Sequence, residues 1–276
     1  MSFEPEIERA AALLRNARHA VALTGAGVST PSGIPDFRSP DYGLWERNDP
    51  MIVASIWSFR MNPQIFYSWI RPVAELLLTA QPNPAHIAMA EMEQSGCLKS
   101  IITQNVDGLH QRAGAQHVLE VHGHMRRATC IRCYREVPAM SLVARYLLNG
   151  ETPRCECGGA FKPNVILMGE QLPVRVLNQA IDQMHRCDVL LVAGSSLEVV
   201  PVADLPLLAI EHGARLIIVN LEPTGFDPQA EVVIHGDVAD VLPLIAGQCR
   251  ATREAAAGQP PESISLKAAS TEDPAI

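Results

Sequence analysis

Nine residues near the N-terminus read His19-Ala20-Val21-Ala22-Leu23-Thr24-Gly25-Ala26-Gly27. The first six are mostly apolar and alternate little, and such a run followed by glycines is typical of a strand buried on both faces of a parallel sheet. Similar runs recur at residues 98–103, 118–121, 165–168, 189–193, 216–219 and 232–234. Helix-like stretches separate several of them, at residues 85–94, 173–186, 202–211 and 238–246. The alternation predicts an α/β fold with a Rossmann-like, doubly wound parallel sheet.

Two segments interrupt this alternation and indicate additional modules. One holds all three tryptophans and no strand pattern, so we expect a helical insertion. The other contains seven Lys/Arg and three Asp/Glu in a chain whose net charge is −8, which indicates a small separate module. The C-terminal segment is poor in large apolar residues, which favours a disordered tail. The predicted division is a large domain of residues 1–38, 81–125 and 163–250, the insertion at 39–80, the small module at 126–162 and the tail at 251–276.

Composition excludes several classes of protein. A chain of 276 residues with 47% hydrophobic content can bury a large core without disulfides. The net charge of −8 argues against general binding to nucleic acid or anionic membranes. No apolar run approaches the ~18 residues of a membrane span, and the N-terminus is acidic where a secretory leader is basic. We therefore expect a soluble cytoplasmic protein.

Four of the seven cysteines form two close pairs, Cys130-x-x-Cys133 and Cys155-x-Cys157. Four thiolates spaced in this way can surround one structural Zn²⁺ ion tetrahedrally and hold together a module too small for its own core. A second interpretation stays open, in which the four thiols are buried or redox-active. The other three cysteines are expected to pack as small apolar residues: Cys97, Cys187 and Cys249.

The glycines after the first strand lie where a Rossmann phosphate loop would lie. There they would let backbone N–H groups approach a pyrophosphate, helped by a helix N-terminus. The match to G-x-G-x-x-G is incomplete, because Thr30 stands at the third glycine position and no acidic residue follows at the expected distance. An ordinary dehydrogenase is therefore disfavoured.

Chemically active side chains follow the glycine loop and the next two strands. Because strand ends in such sheets converge on the ligand crevice, we expect these side chains to meet. The residues concerned are Asp36, Phe37, Arg38, Gln104, Asn105, Asp107 and His122.

In these motifs the chain resembles the sirtuins, the NAD-dependent protein-lysine deacylases, and the resemblance runs from about residue 21 to residue 238. It rests on Gly25-Ala26-Gly27-Val28-Ser29 through Gly33-Ile34-Pro35-Asp36-Phe37-Arg38, Thr103-Gln104-Asn105-Val106-Asp107, His122-Gly123, the cysteine pairs, Lys162-Pro163 through Gly169-Glu170, Gly194-Ser195-Ser196-Leu197, Val219-Asn220 and Gly236-Asp237-Val238. The resemblance implies a bacterial or archaeal type of NAD-dependent protein-lysine deacetylase. Such an enzyme consumes NAD and releases nicotinamide and O-acyl-ADP-ribose.

The resemblance also implies roles for individual residues at the reaction centre. In the family, the acyl oxygen of the substrate attacks the nicotinamide ribose and expels nicotinamide. His122 then matches the general base that activates a ribose hydroxyl, a task that suits an imidazole. Asn105 and Gln104 match residues around the nicotinamide ribose, with Asn105 counted as catalytic. Val106 and Asp107 match the pair that receives the nicotinamide carboxamide.

Further cofactor contacts follow from the same resemblance. Phe37 matches the aromatic residue that shields the reaction centre from water. Arg38 is expected near phosphate. Asn220 and Glu222 are expected to hold the adenosine ribose, and Val238 to pack near adenine. The remaining implied contacts are Gly25, Ala26, Gly27, Thr30, Asp36, Gly194, Ser195 and Ser196.

Acyl-lysine peptides bind proteins of this family as an added strand between the large domain and the zinc module, so affinity comes mostly from backbone hydrogen bonds. Ile166, Met168 and Gly169 match one lining segment, and Leu197 with Val199 the other. Met168 replaces the aromatic residue usual at that position. The change leaves the acyl-length preference open.

One departure from a family pattern predicts the type of acyl group. Sirtuins that prefer acidic acyl groups carry Tyr-x-x-Arg in the helical insertion, where the arginine binds the acyl carboxylate. Here Tyr67 is present, but Ile70 occupies the arginine position and Arg71 lies one residue late. An apolar side chain cannot pair with a carboxylate, so we expect neutral acyl substrates, acetyl first.

Two alternative functions stay open. A protein mono-ADP-ribosyltransferase could use the same scaffold, although His122 and Asn105 favour deacylation. A zinc-ribbon interaction or nucleic-acid module is supported only by the positive charge of residues 126–162. Expected partners are acyl-lysine proteins, without direct nucleic-acid or membrane binding, and the oligomeric state stays open.

Overall fold

A six-stranded parallel sheet forms the centre of the chain. The structure is a computed structural model that describes residues 3–36 and 48–257. Counted in chain order, the strands of this sheet are β1 Ala20–Thr24, β2 Ser100–Thr103, β3 Val118–Glu120, β7 Val189–Ala193, β8 Arg215–Val219 and β9 Val232–Ile234. Their order across the sheet is β3-β2-β1-β7-β8-β9, so β1 and β7 are the two central strands. The predicted doubly wound sheet is confirmed, and the order reverses between β1 and β7, where such sheets open a ligand crevice.

Helices cover both faces of this sheet. On one face lie α1 Glu4–Asn16, α5 Pro84–Gln94 and α10 Val238–Ala257, and on the other α8 Val174–Arg186 and α9 Leu205–Glu211. The alternation along β1 separates the two cores, since Ala20 and Ala22 face the first set while Val21 and Leu23 face the second. All four side chains are almost fully buried. This burial on both faces explains why the run at residues 19–24 is apolar without alternation.

The run at residues 165–168 is not a strand of the parallel sheet, so that prediction was wrong. The strand lies earlier, as β6 Phe161–Val165, and pairs antiparallel with β4 Gly123–Cys130. With β5 Glu136–Pro138 they form a separate three-stranded sheet, in the order β5-β4-β6. Burial alternates along β6 as expected for an antiparallel strand with one wet face. The apolar stretch that follows β6 concealed this alternation in the sequence.

The described part of the predicted insertion is mostly helical, with α2 Pro50–Val53, α3 Ile56–Met61 and α4 Pro63–Thr79. The other two helices are α6 Leu109–Arg112 and α7 Ala139–Asn149. Aromatic side chains join the insertion to the small sheet, because Tyr67 of α4 packs 5.1 Å from the ring of Tyr146 in α7. The two modules therefore share one apolar core, and the boundaries assigned to them as separate units stay predictions.

Two other predictions meet the ends of the described ranges. Helix α10 continues to Ala257, so the first residues assigned to a disordered tail are helical. Residues 258–276 lie outside the described residues. Within the ranges that the structure describes, no helix is both long and apolar enough to cross a lipid bilayer.

Candidate active site

The glycine loop after β1 lies in backbone contact with the loop after β7. The N–H of Gly27 donates to the carbonyl of Gly194 at 2.9 Å, and Gly194 adopts a left-handed conformation with φ of 58°. A Cβ atom at Gly27 would lie 2.9 Å from the Cα of Gly194, and one at Gly194 would lie 2.4 Å from the N of Val28. These glycines are therefore required where two strand ends meet at the reversal in strand order.

Up to residue 36, where the described range ends, no long helix follows this loop, contrary to the expectation of a helix N-terminus. The chain continues as two short 3₁₀ turns, Ala26–Val28 and Thr30–Ser32. Thr30, at the third glycine position, donates its hydroxyl to the carbonyl of Gly27 at 3.0 Å and so closes the first turn. The incomplete G-x-G-x-x-G pattern is explained by this geometry.

Replacing Gly194 by alanine is expected to lower the free energy of unfolding by about 2–4 kcal/mol, because a side chain there meets backbone atoms in a strained conformation. NAD binding should weaken at the same time, since the two loops must separate. The matched control is Gly247→Ala in α10, where an added Cβ meets nothing within 4 Å. That variant should gain about 0.5–1 kcal/mol, as expected for a helix interior. Denaturant unfolding of both variants tests the prediction, and equal stabilities would contradict it.

Asn105 and Asp107 are linked through the hydroxyl of Ser29. The Asn105 amide donates to the Gly25 carbonyl and to Ser29 Oγ, both at 3.0 Å. Ser29 Oγ in turn donates to Asp107 Oδ2 at 2.7 Å, while the N–H of Leu109 donates to Asp107 Oδ1 at 2.8 Å. Burial raises the pKa of Asp107, and the two hydrogen bonds oppose that rise. The carboxylate is therefore held in one orientation at the end of β2.

Two buried histidines lie behind this network, and sequence reasoning gave neither of them a role. His86 Nε2 lies 3.4 Å from Ser29 Oγ, and His110 Nε2 lies 3.0 Å from Thr24 Oγ1. Burial lowers their pKa values to about 4 and about 3, so both rings are neutral near pH 7. Because Ser29 donates its only proton to Asp107, His86 must donate to Ser29. The signal in the sequence was weak, since a histidine within an amphipathic helix is usually a packing residue.

His122 follows β3 with its ring held in one tautomer. Its Nδ1 lies 3.2 Å from the carbonyl oxygen of Gln104. A carbonyl only accepts, so Nδ1 carries the proton and Nε2 keeps the basic lone pair. Burial lowers the pKa of His122, and the bond to Gln104 opposes that shift. The imidazole is therefore neutral at pH 7 and able to accept a proton at Nε2.

Gln104 connects the ends of β2 and β7. Its side-chain amide donates to Ser195 Oγ at 2.9 Å, and the same oxygen accepts the N–H of Leu197 at 3.3 Å. The backbone of Val106 connects this loop to β4, because its carbonyl accepts the N–H of Met125 at 3.0 Å. A direct hydrogen bond thus joins Gln104 to Ser195.

The residues assigned to adenosine lie at the ends of β8 and β9. The amide of Asn220 donates to the carbonyl of Glu222 at 2.7 Å, while the Glu222 side chain is exposed. His235 holds this loop from the other side, with Nδ1 3.3 Å from the Asn220 carbonyl and Nε2 3.2 Å from Asp227. Val238, the first residue of α10, is buried in the core to which α1 and α5 also contribute. Its side chain therefore packs inward rather than lining an open surface.

The two segments assigned to the acyl peptide differ in how they are anchored. The N–H of Ile166 donates to the His122 carbonyl at 2.9 Å. Met168 bonds through both backbone groups to the insertion, at 2.9 Å to Ala54 and 3.0 Å to Ile56. Gly169 has a φ of 83°, and an added Cβ would lie 2.1 Å from the ring of Trp57, so no side chain fits there.

The opposite segment follows the end of β7. Leu197 is buried and has a positive φ of 55°, while the carbonyl of Val199 accepts the N–H of Ala203 at 2.9 Å. Ser196 is exposed between them and the strand end. On the far side of the glycine loop Asp36 is half-buried, and the described residues stop there. Phe37 and Arg38 lie outside the described residues, so their assigned roles stay predictions.

The four paired cysteines converge at one point of the small sheet. Their Sγ atoms all lie within 4.8 Å of one another, with Cys130 and Cys157 at 3.5 Å and Cys133 and Cys155 at 3.6 Å. Zn–S bonds of about 2.3 Å in a tetrahedron require sulfur separations of about 3.8 Å, so the donor set fits Zn²⁺. A Cβ at Gly159 would lie 2.7 Å from the Cys130 sulfur, which explains the glycine there.

The remaining cysteines agree with the packing prediction, since all three are buried. None of the three belongs to the four-sulfur cluster. Among the described residues, that cluster is the group of side chains close enough together to hold a metal ion. The site has four protein ligands and so resembles structural zinc sites, where catalytic sites leave one position open.

Known proteins resemble this chain over almost its whole length. The "NAD-dependent protein deacylase 2" of Archaeoglobus fulgidus is 47% identical over 252 residues, which cover 91% of this chain and 98% of that protein. The "NAD-dependent protein deacetylase" of Caldivirga maquilingensis is 46% identical over 243 residues, covering 88% and 93%.

Solved structures match equally well. A structure of a Sir2 enzyme superposes with a TM-score of 0.84 at 47% identity, covering 89% of this chain and 98% of the other. A structure of Sir2Af2 bound to a myristoylated histone peptide gives a TM-score of 0.79 at 41% identity, covering 91% and 99%. The family model for the Sir2 family matches residues 25–201. On these similarities, the chain belongs to the Sir2 family.

Proposed function

We propose that this protein is an NAD-dependent protein-lysine deacetylase that releases nicotinamide and O-acyl-ADP-ribose. The observation that carries the proposal is His122, held neutral with Nε2 basic, at the same sheet edge as Asn105 and Asp107. Close relatives named as NAD-dependent deacylases and deacetylases support it. A cytoplasmic location stays a prediction.

The crevice fits NAD in two respects. The glycine contact between the loops after β1 and β7 leaves the backbone without side chains where a diphosphate would lie. Asp107 presents a half-buried carboxylate that can accept an amide N–H₂, beside the apolar Val106. Bound NAD supplies a ribose carbon that becomes electrophilic as nicotinamide leaves. The chain's own residues orient the two ends of the cofactor, with Gln104 and Ser195 between them.

His122 has the properties that a general base requires. Its Nδ1 proton is committed to the Gln104 carbonyl, so the ring cannot rotate without losing that bond. Its Nε2 can take a proton from a ribose hydroxyl, and the lowered pKa keeps this nitrogen unprotonated near pH 7. Asn105 is held by the Gly25 carbonyl and Ser29, which leaves its side-chain oxygen to accept from a sugar hydroxyl.

The acyl-lysine peptide is proposed to enter between the Ile166–Gly169 segment and the Leu197–Val199 segment. A relative bound to a myristoylated histone peptide supports an acyl peptide as the substrate class. Because Ile166 donates to the backbone of His122, a peptide on this segment lies close to the general base. Zinc is proposed as one structural ion per chain, held by the four cysteines.

Neutral acyl groups are the proposed preference, and the contacts of two residues support it. Tyr67 is buried and donates its hydroxyl to the carbonyl of Phe161 at 2.7 Å. Arg71 donates to the carbonyl of Leu147 at 2.8 Å and lies over the ring of Tyr146. Both groups are therefore committed to the joint between the insertion and the small module, and neither is free to bind an acyl carboxylate.

The test is a comparison of acetyl-lysine and succinyl-lysine peptides, each with and without NAD. We expect the acetyl peptide to lose its acetyl group only with NAD, and the succinyl peptide to react at least about 100-fold more slowly, since a carboxylate would be buried unpaired. Peptide mass and released nicotinamide are measured together. Label from NAD on protein without deacylation would instead favour the mono-ADP-ribosyltransferase. No reaction with either peptide would contradict the proposal.

A further inference from the structure

Lys162 and Glu170 form a largely buried ion pair beside the peptide segment. Lys162 Nζ lies 3.0 Å from Glu170 Oε2, and the two side chains are only 12% and 21% exposed. An ion pair from β4 of the same small sheet, Arg127 with Glu136, is 44% and 43% exposed. Exposed pairs contribute little to stability, whereas a buried pair must be held by further hydrogen bonds.

All three protons of the Lys162 ammonium have acceptors. Besides Glu170, Nζ donates to the carbonyl of Val165 at 2.7 Å and to that of Pro163 at 3.0 Å. Burial lowers the pKa of Lys162, and the charge of Glu170 opposes that shift. Lys162 is therefore hydrogen-bonded to the C-terminal end of β6, and its ion pair with Glu170 connects it to the turn that follows β6.

Glu170 makes a second contact within the same segment. Its Oε2 also accepts the N–H of Leu167 at 2.9 Å. The amides on either side of Leu167 donate to other parts of the chain: the N–H of Ile166 to the His122 carbonyl and the N–H of Met168 to the Ala54 carbonyl. Successive backbone amides thus connect this segment to the general base, to Glu170 and to the insertion.

Stability alone does not explain such a pair. Replacing a buried ion pair by apolar groups of similar volume is often neutral or stabilising. A buried pair whose two members are bonded to the two ends of one short segment can instead fix the position of that segment. The segment lies between β6 and Glu170 and contains Ile166, Met168 and Gly169, which line the proposed peptide site.

We propose that Lys162 and Glu170 are positioning residues, which hold the Ile166–Gly169 segment in the register that the acyl peptide needs beside His122. The inference rests on the proposed deacylase function and deepens it. Neither side chain touches the reacting atoms. Their loss should therefore weaken peptide binding while the NAD site, built at the other side of the crevice, stays intact.

The decisive variant is the double substitution Lys162→Met with Glu170→Gln, which leaves no unpaired buried charge and keeps an acceptor for Leu167. We expect KM for the acetyl-lysine peptide to rise about tenfold or more, as for the loss of one charge-assisted hydrogen bond. KM for NAD should be unchanged, and kcat should fall by less than about threefold. Lys162→Met alone should show the same split with a lower melting temperature, because Glu170 is then unpaired.

The matched control is Arg127→Met, which removes the exposed pair from the same sheet and should leave both KM values unchanged. A purely structural role predicts a loss of stability with no difference between peptide and NAD. Wild-type KM for the peptide in the double variant, or equal rises for both substrates, would overturn the inference. Fluorescence anisotropy with a labelled acetyl-lysine peptide tests positioning separately from catalysis. If the wild type binds the peptide but shows no NAD-dependent turnover, the proposed function fails, and an unchanged peptide Kd in the double variant then overturns the positioning role as well.

Discussion

His122→Ala is expected to lower kcat for deacylation by about 100- to 10,000-fold, the range that general-base catalysis contributes. The imidazole is anchored through Nδ1 to the Gln104 carbonyl, so only Nε2 is available to take the hydroxyl proton. Two other histidines of the described residues nearby are not placed to substitute, because His86 and His110 are buried behind Ser29 and Thr24 with lowered pKa values. The measurement is single-turnover deacylation of an acetyl-lysine peptide.

The His122→Ala variant should still carry out the reaction steps that come before general-base catalysis. Nicotinamide leaves before the ribose hydroxyl is activated, so His122→Ala with peptide should still exchange labelled nicotinamide into NAD. The control is His185→Ala, an exposed residue in the last turn of α8 that stacks on His212 at 4.5 Å. That variant should deacylate like the wild type. Full deacylation by His122→Ala would refute the assigned mechanism.

The pH profile gives the same prediction an independent readout. A general base acts in its neutral form, so the proposed role of His122 predicts that kcat falls as pH drops through the pKa of this residue. Burial lowers that pKa from its ordinary value of 6.5, and the fall should therefore begin on the acid side of 6.5. Activity near pH 7 should be flat, and the acid limb should disappear in His122→Ala.

Sequence reasoning succeeded where a local pattern carries the structural information. The apolar runs predicted the parallel strands, because strands buried on both faces need apolar side chains at every position. The rule that strand ends converge predicted that the residues after β2 and β3 meet, and the structure joins Gln104 to His122. The cysteine spacing predicted a cluster that the structure assembles with four sulfurs together.

Reasoning failed where the information is a long-range contact. Ser29 meets Asp107 across 78 residues of chain, and His110 meets Thr24 across 86, so no spacing rule indicates either pair. The same holds for Lys162, whose motif was recognised without any indication that its charge is buried. Residues 165–168 were misassigned because an apolar run does not reveal whether its hydrogen-bond partner is a strand or a loop.

Removing zinc is expected to unfold the small sheet and to abolish deacylase activity. The binding energy of a structural Zn²⁺ is of the order of 10 kcal/mol, more than a three-stranded sheet of this size can supply by burial. Activity should be lost as well, because β4 begins directly after His122 and β6 leads into the peptide segment at Ile166. Chelation should therefore raise KM for the peptide and lower kcat before the parallel sheet melts. Hydrogen exchange resolved by peptide should show loss of protection in β4 to β6 first.

Cys130→Ser provides a genetic form of the same test, since it removes one thiolate from the cluster. It should bind less than one zinc per chain and expose the small sheet to proteolysis. Cys187→Ala is the matched control, a buried cysteine outside the cluster whose Sγ lies 3.4 Å from the Met184 carbonyl. That change should leave zinc content and peptide KM unchanged and reduce stability only modestly. If metal loss is verified and the melting of the small sheet does not change, the aromatic core shared with the insertion, and not the metal, holds the module together.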